Sequence, residues 1–157
     1  MIKVHNSFTN TQVMTAVPLL LRFVNEDAFW KHFVDWIKDT DLSHHDILED
    51  DHDILTHIRF MFSRNLNVEI LPYKTRWPWS SVIGHAKGNR VYENVRKLED
   101  LTLPERIGHL GHEIVHLFGY HHEFQGQKTS AAVAFGEAMR LYSERRVLEI
   151  QREPTSN

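Results

Sequence analysis

The segment His112-Glu113-Ile114-Val115-His116-Leu117-Phe118-Gly119-Tyr120-His121-His122 combines a helical spacing with a helix stop. Positions four apart on an α-helix lie one turn above each other on one face. His112 and His116 can therefore offer two imidazole nitrogens to a single metal ion without bending the backbone. Glu113 stands about 100° round the helix from His112, within reach of a water beside that metal but badly placed as a ligand. Gly119 can take the left-handed conformation that ends a helix and turns the chain. His122 can then swing back as a third ligand, while His121 points elsewhere. With 12 histidines and as many glutamates in the chain, His-Glu-x-x-His arises by composition alone with a probability of roughly 7%; adding the glycine and third histidine lowers it to about 0.02%.

Working outward, Thr102 can cap the helix that carries this segment, Pro104 suits its first turn, and Glu105 favours its N-terminal dipole. Ile107, Leu110, Ile114, Leu117 and Phe118 form its apolar stripe. Upstream, residues 67–73 and 81–86 read as strands, Lys87-Gly88-Asn89-Arg90 as a turn, and residues 91–96 as a third strand. Glu93 between Val91 and Val95 suggests that this last strand lies at a sheet edge. Downstream, a helix from about Thr129 to Ile150 carries Ala131, Ala134, Ala138, Leu141 and Leu148. Nearer the N-terminus, residues 26–38 place Phe29, Phe33, Trp36 and Ile37 on one helical face. An acidic connector, 39–53, leads to a second helix ending near Arg64, with Ile54, His57, Ile58 and Met61 on one side. The expectation is an α+β fold: a small, mostly antiparallel sheet with the histidine-bearing helix and a C-terminal helix. Residues 1–157 read as one domain, mainly helical over 1–66, with the sheet and the two long helices in 67–157.

Composition closes several doors. The 157 residues include 18 basic and 21 acidic side chains, for a formal charge of -3. That balance gives no reason to expect a nucleic-acid partner. With no cysteine, disulfides, thiolate zinc sites and thiol nucleophiles are excluded, so any metal chemistry uses imidazole and carboxylate. No stretch reads as a signal peptide or spanning segment. A cytoplasmic location, without membrane association, is the default expectation, and signal-less export stays open.

The segment from His112 to His122 resembles the zinc signature H-E-x-x-H-x-x-G-x-x-H of the metzincin clan of metallopeptidases, with all five fixed letters present. The resemblance implies a zincin-like fold, one Zn2+ per chain held by His112, His116 and His122, Glu113 as general base, and a peptide or protein substrate laid along an edge strand. Metzincins also place a methionine under the metal on a tight turn. The only later methionine is Met139, in a stretch that reads as helix, and it is expected in the core instead. In gluzincins the third ligand is a Glu on a later helix. Glu137, 21 residues beyond His116, is the alternative third ligand on that pattern. A weaker resemblance is to YbeY-type endoribonucleases, whose motif has Gly where Glu113 stands, and the chain lacks a basic face. A non-catalytic, zinc-stabilised binding module is the remaining alternative.

Other features read more plainly. His44, His45, Asp46, Asp50, Asp51, His52 and Asp53 have no regular ligand spacing and read as a solvated acidic surface. Trp77-Pro78-Trp79 reads as a hydrophobic cap. Tyr120 and Tyr142 are candidates to donate to an oxyanion. His109, three residues before His112, reads either as a brace for the site or as a helix-surface residue, the second being preferred. Oligomeric state is not legible.

Overall fold

The fold is organised round the histidine-bearing helix, and the residues that start it do so as the sequence predicts. Thr102 Oγ1 accepts from the Glu105 backbone N–H, and Glu105 Oε2 accepts from the Thr102 N–H at 2.7 Å, a complete capping box with a proline in the first turn. The computed structural model describes residues 2–4, 11–38, 51–64, 66–74, 82–122 and 130–152. In chain order the elements are β1 (Ile2–Val4), α1 (Thr11–Val24), α2 (Asp27–Lys38), α3 (Asp51–Ser63), β2 (Val68–Tyr73), β3 (Gly84–Lys87), β4 (Arg90–Asn94), α4 (Val95–Leu98), α5 (Leu103–Leu117) and α6 (Ala131–Arg152). The α+β expectation holds at that level. The acidic patch up to Asp50 and Trp77-Pro78-Trp79 lie outside the described residues.

The sheet is mixed, with strand order β1-β2-β4-β3. β1–β2 and β2–β4 pair in parallel, and only β3–β4 is antiparallel. This corrects the expectation of a mostly antiparallel sheet. β1 and β2 are separated by three helices, the crossover a parallel pairing requires, and β2 pairs with β4 instead of with its sequence neighbour β3. The edge assignment is corrected too. β4 is interior, with Val91, Glu93 and Asn94 fully buried, and β3 is the edge strand beside it. Glu93 mimics an edge residue in sequence because its burial is compensated by a partner on α5. Val95 is already in α4, where the Asn94 side chain accepts from Arg96 N–H and so caps the turn.

α1 is an element that the sequence pattern does not disclose. Pro18 sits inside it, where it removes one backbone hydrogen bond. Val13, Ala16, Val17, Leu20, Phe23 and Val24 are nevertheless buried, so packing outweighs the local penalty. α5 and α6 cross closely at two glycines: a Cβ on Gly108 would come 2.6 Å from the Gly136 carbonyl oxygen, and one on Gly136 would come 2.9 Å from His112 Cβ. Phe135 of α6 anchors the core, with its ring 5.4 Å from Phe29, 5.4 Å from Phe33 and 5.2 Å from Phe62. Leu148, placed on the apolar stripe of this helix by sequence, is 52% exposed. Ile150, two residues further on, still packs against the core, so Leu148 lies off the α6 core face. Among the described residues no helix is long and apolar enough to cross a membrane.

Candidate metal centre

The spacing of His112 and His116 on α5 brings their rings together one turn apart, edge to face at 88°, and their Nε2 atoms lie 3.0 Å from each other. Past the helix end, Gly119 adopts φ 102° and its N–H donates to the His116 carbonyl at 3.1 Å. A side chain would resist that backbone conformation. The turn returns the chain so that His122 Nε2 lies 3.3 Å from His112 Nε2. The three ligand atoms fall within 4.8 Å of one another. A tetrahedral ion with bonds of about 2.05 Å separates its ligands by about 3.3 Å, so the arrangement is the size of such a site.

The outer ring nitrogens explain why the inner ones converge. His116 Nδ1 donates to the Tyr120 carbonyl at 2.5 Å, and His112 hydrogen-bonds the Ala132 backbone on α6. His122 Nδ1 lies 2.8 Å from the Ser130 hydroxyl, at the foot of α6. A carbonyl only accepts, so the proton of a neutral His116 sits on Nδ1 and its Nε2 presents a lone pair. Burial, with the neighbouring imidazoles adding to it, pulls His112 down to about 3. Burial is also the largest influence on His116, pulled down to about 4 against the opposing Tyr120 hydrogen bond. Both rings are therefore neutral at pH 7. Lone pairs brought this close repel unless a cation lies among them, and ring nitrogens braced from behind are the usual outer support of a metal ligand. His112, His116 and His122 can hold a metal ion.

Glu113 is 5% exposed, and its Oε2 has no hydrogen-bond partner among the described residues. Burial pushes its carboxyl up to about 7, with Glu93 adding to the rise and His109 opposing it. Two hollows, of about 430 and 400 Å³, share Gly84, His112 and Glu113 in their walls; the first also holds His116, His121, His122 and the β3 residues His85 and Ala86. His121 is exposed beside this cleft, its ring stacked on that of His116.

No protein-family model, curated protein or solved structure matches the chain. The site is therefore read from its own atoms.

Glu137 stands apart from the three converging nitrogens. Arg140 holds both of its oxygens, at 2.9 and 2.5 Å, and keeps its carboxyl below the usual carboxylate range. Met139 is fully buried inside the continuous helix α6, so the core expectation stands and no turn carries it. Neither tyrosine offers its hydroxyl to the cleft. Tyr120 Oη lies 2.8 Å from His57 Nδ1, and Tyr142 Oη donates to Glu26 at 2.6 Å. Tyr120 serves the centre through its backbone carbonyl instead.

Three residues near the centre, His109, Glu93 and Tyr73, are given no role there by the preferred sequence reading. His109 is largely buried, not a surface residue, and its Nε2 lies 2.9 Å from Glu93 Oε2. Its Nδ1 faces Glu113 Oε1 at 3.9 Å. Tyr73, at the end of β2, has a buried hydroxyl with no hydrogen-bond partner among the described residues, its pKa raised by burial and then by the charges of Glu93 and Glu113. The i, i+4 spacing of His109 and Glu113 was the available signal for the first. Nothing local marks the other two.

Proposed function

We propose that this chain is a zinc-dependent metallopeptidase of metzincin-like type, with one zinc per chain. The observation that carries the reading is a juxtaposition: three imidazole nitrogens converge beside Glu113, a buried carboxylate with one oxygen lacking a hydrogen-bond partner among the described residues. His112, His116 and His122 would hold the ion, an all-imidazole set that suits zinc and leaves a fourth position. Zinc held there would supply a Lewis acid for a peptide carbonyl and lower the pKa of a water toward about 7.

The remaining chemistry belongs to the protein. Glu113 Oε2 takes the proton of the attacking water and returns it to the leaving amine, a task suited to a carboxyl raised to about 7. The outer edge of β3 has no strand partner among the described residues, and its residues wall the cleft. A peptide can add there as a further strand, held by backbone hydrogen bonds. The edge strand inferred from sequence is thus replaced by its hairpin partner, with the same role.

The test compares wild type with Glu113→Gln. Both are expected to bind one zinc per chain and fold alike, while the variant loses at least about 100-fold in peptide hydrolysis. Undiminished hydrolysis by the variant contradicts the mechanism. Zinc removal that unfolds a wild type showing no hydrolysis identifies a structural clip instead.

A further inference from the structure

Glu93 is a fully buried carboxylate on an interior strand, an expensive placement unless it is paired. Its partner is His109, one helical turn before Glu113 on the same face of α5. The imidazole has two ends. Nε2 is held by Glu93 Oε2 at 2.9 Å, and Nδ1 faces Glu113 Oε1 at 3.9 Å, while Glu113 Oε2 has no hydrogen-bond partner among the described residues. The edge strand is built round this pair: a Cβ on Gly84 would come 2.6 Å from His109 Nε2 and 3.0 Å from Glu93 Oε2. Of the four buried side-chain atoms lacking a partner among the described residues, three (Glu93 Oε1, Glu113 Oε2 and Tyr73 Oη) belong to residues of this neighbourhood. Buried polar atoms without partners are few in folded proteins, and a working site is one of the explanations for finding them together.

We propose that His109, anchored by Glu93, is a positioning residue that fixes the carboxylate of Glu113, turning one oxygen toward the imidazole and leaving the other for the reaction. The inference rests on the peptidase reading for its consequence, but its geometry does not. Glu93 orients the ring by accepting from Nε2 at 2.9 Å. With both ring nitrogens facing carboxylates, the imidazolium form turns its Nδ1–H edge toward Glu113 Oε1 at 3.9 Å, an ion-pair contact that draws that oxygen to one side. The competing interpretation is a tie between α5 and β4 that contributes only stability.

Removing the imidazole alone leaves Glu93 buried and unpaired, so the main variant is the double Glu93→Gln/His109→Phe, with His109→Gln as a second, milder one. Zinc-loaded proteins are assayed by peptide hydrolysis and by calorimetric binding of acetohydroxamate, a metal-chelating probe that hydrogen-bonds to a carboxylate beside the metal. The double variant is expected to keep one zinc per chain, and its KM within about twofold, while kcat falls about 10- to 100-fold. His109→Gln, which retains a donor, should recover part of that loss. Acetohydroxamate should bind about tenfold more weakly to the double variant, with no further weakening when Glu113→Ala is added, because the two changes act through one carboxylate. Additive weakening, or unchanged kcat and probe binding with only a lower melting temperature, would overturn the proposal. The binding cycle needs only bound metal. Absence of hydrolysis in wild type would therefore sink the peptidase reading alone, and the cycle would still decide the role of His109.

Discussion

Gly108→Ala tests how the helix crossing sustains the metal centre without touching a ligand. The new Cβ would lie 2.6 Å from the Gly136 carbonyl oxygen and 2.8 Å from Arg140 Cβ, where ordinary contact begins at 3.4 Å. The first obstacle is backbone and cannot rotate away, so α6 must retreat from α5 by roughly 0.8 Å. Overpacking of this kind costs about 1–3 kcal/mol, and the helix-propensity gain of alanine over glycine returns about 1 kcal/mol. A net loss of about 1 kcal/mol lowers the melting temperature by only about 2–4 °C in a chain of this size. The metal feels more. α6 carries the backbone at Ala132 that braces His112, and Ser130 at its foot braces His122. Loosening such outer contacts typically costs 10- to 100-fold in metal affinity. Competition with a chromophoric chelator should therefore show zinc bound at least about tenfold more weakly, with circular dichroism nearly unchanged. Zinc affinity within twofold of wild type would refute the claim that the α5–α6 crossing sets the ligand geometry.

Three further perturbations probe separate links. Ser130→Ala leaves His122 Nδ1 without its hydroxyl partner and should weaken zinc binding about 10- to 100-fold, with little change in the melting temperature of the zinc-free protein. Phe135→Ala empties the centre of the aromatic core and should cost about 3–5 kcal/mol in denaturant unfolding; a loss below about 1 kcal/mol would contradict the packing described. For the zinc-free protein, His112 and His116 titrate near 3 and 4 when folded, against 6.5 for a free imidazole. As pH falls below about 7 the unfolded chain takes up these protons first, so their contribution to stability declines between about pH 7 and pH 4. Replacing either histidine by Asn should flatten that part of the melting-temperature profile.

What the sequence makes legible here is local. The cap at Thr102, the shared face of His112 and His116, and the reversal at Gly119 each need only a few neighbouring residues, and each stands in the structure as expected, with Glu105 completing a capping box beyond the dipole role read from sequence. His122 reaches the group because a single positive-φ glycine decides the path. Features that depend on distant partners are not legible. Pro18 hides α1, whose helix persists because α5 and α2 supply the burial that local propensity lacks. The parallel pairing of β2 with β4 passes over β3, and no turn signal announces it. Glu93 looks solvent-facing until His109, 16 residues later, is seen to take its charge. Tyr120 acts through a carbonyl that every residue possesses, so its side chain misdirects.

The central claim is an open, three-histidine zinc centre, and X-ray absorption at the zinc edge of the metal-loaded protein tests it most directly. The account predicts one zinc per chain with three imidazole nitrogens at about 2.0 Å and one water oxygen, and loss of one imidazole contribution in His122→Ala. Four imidazoles, or a carboxylate that disappears in Glu137→Ala while His122→Ala leaves the spectrum unchanged, would contradict it.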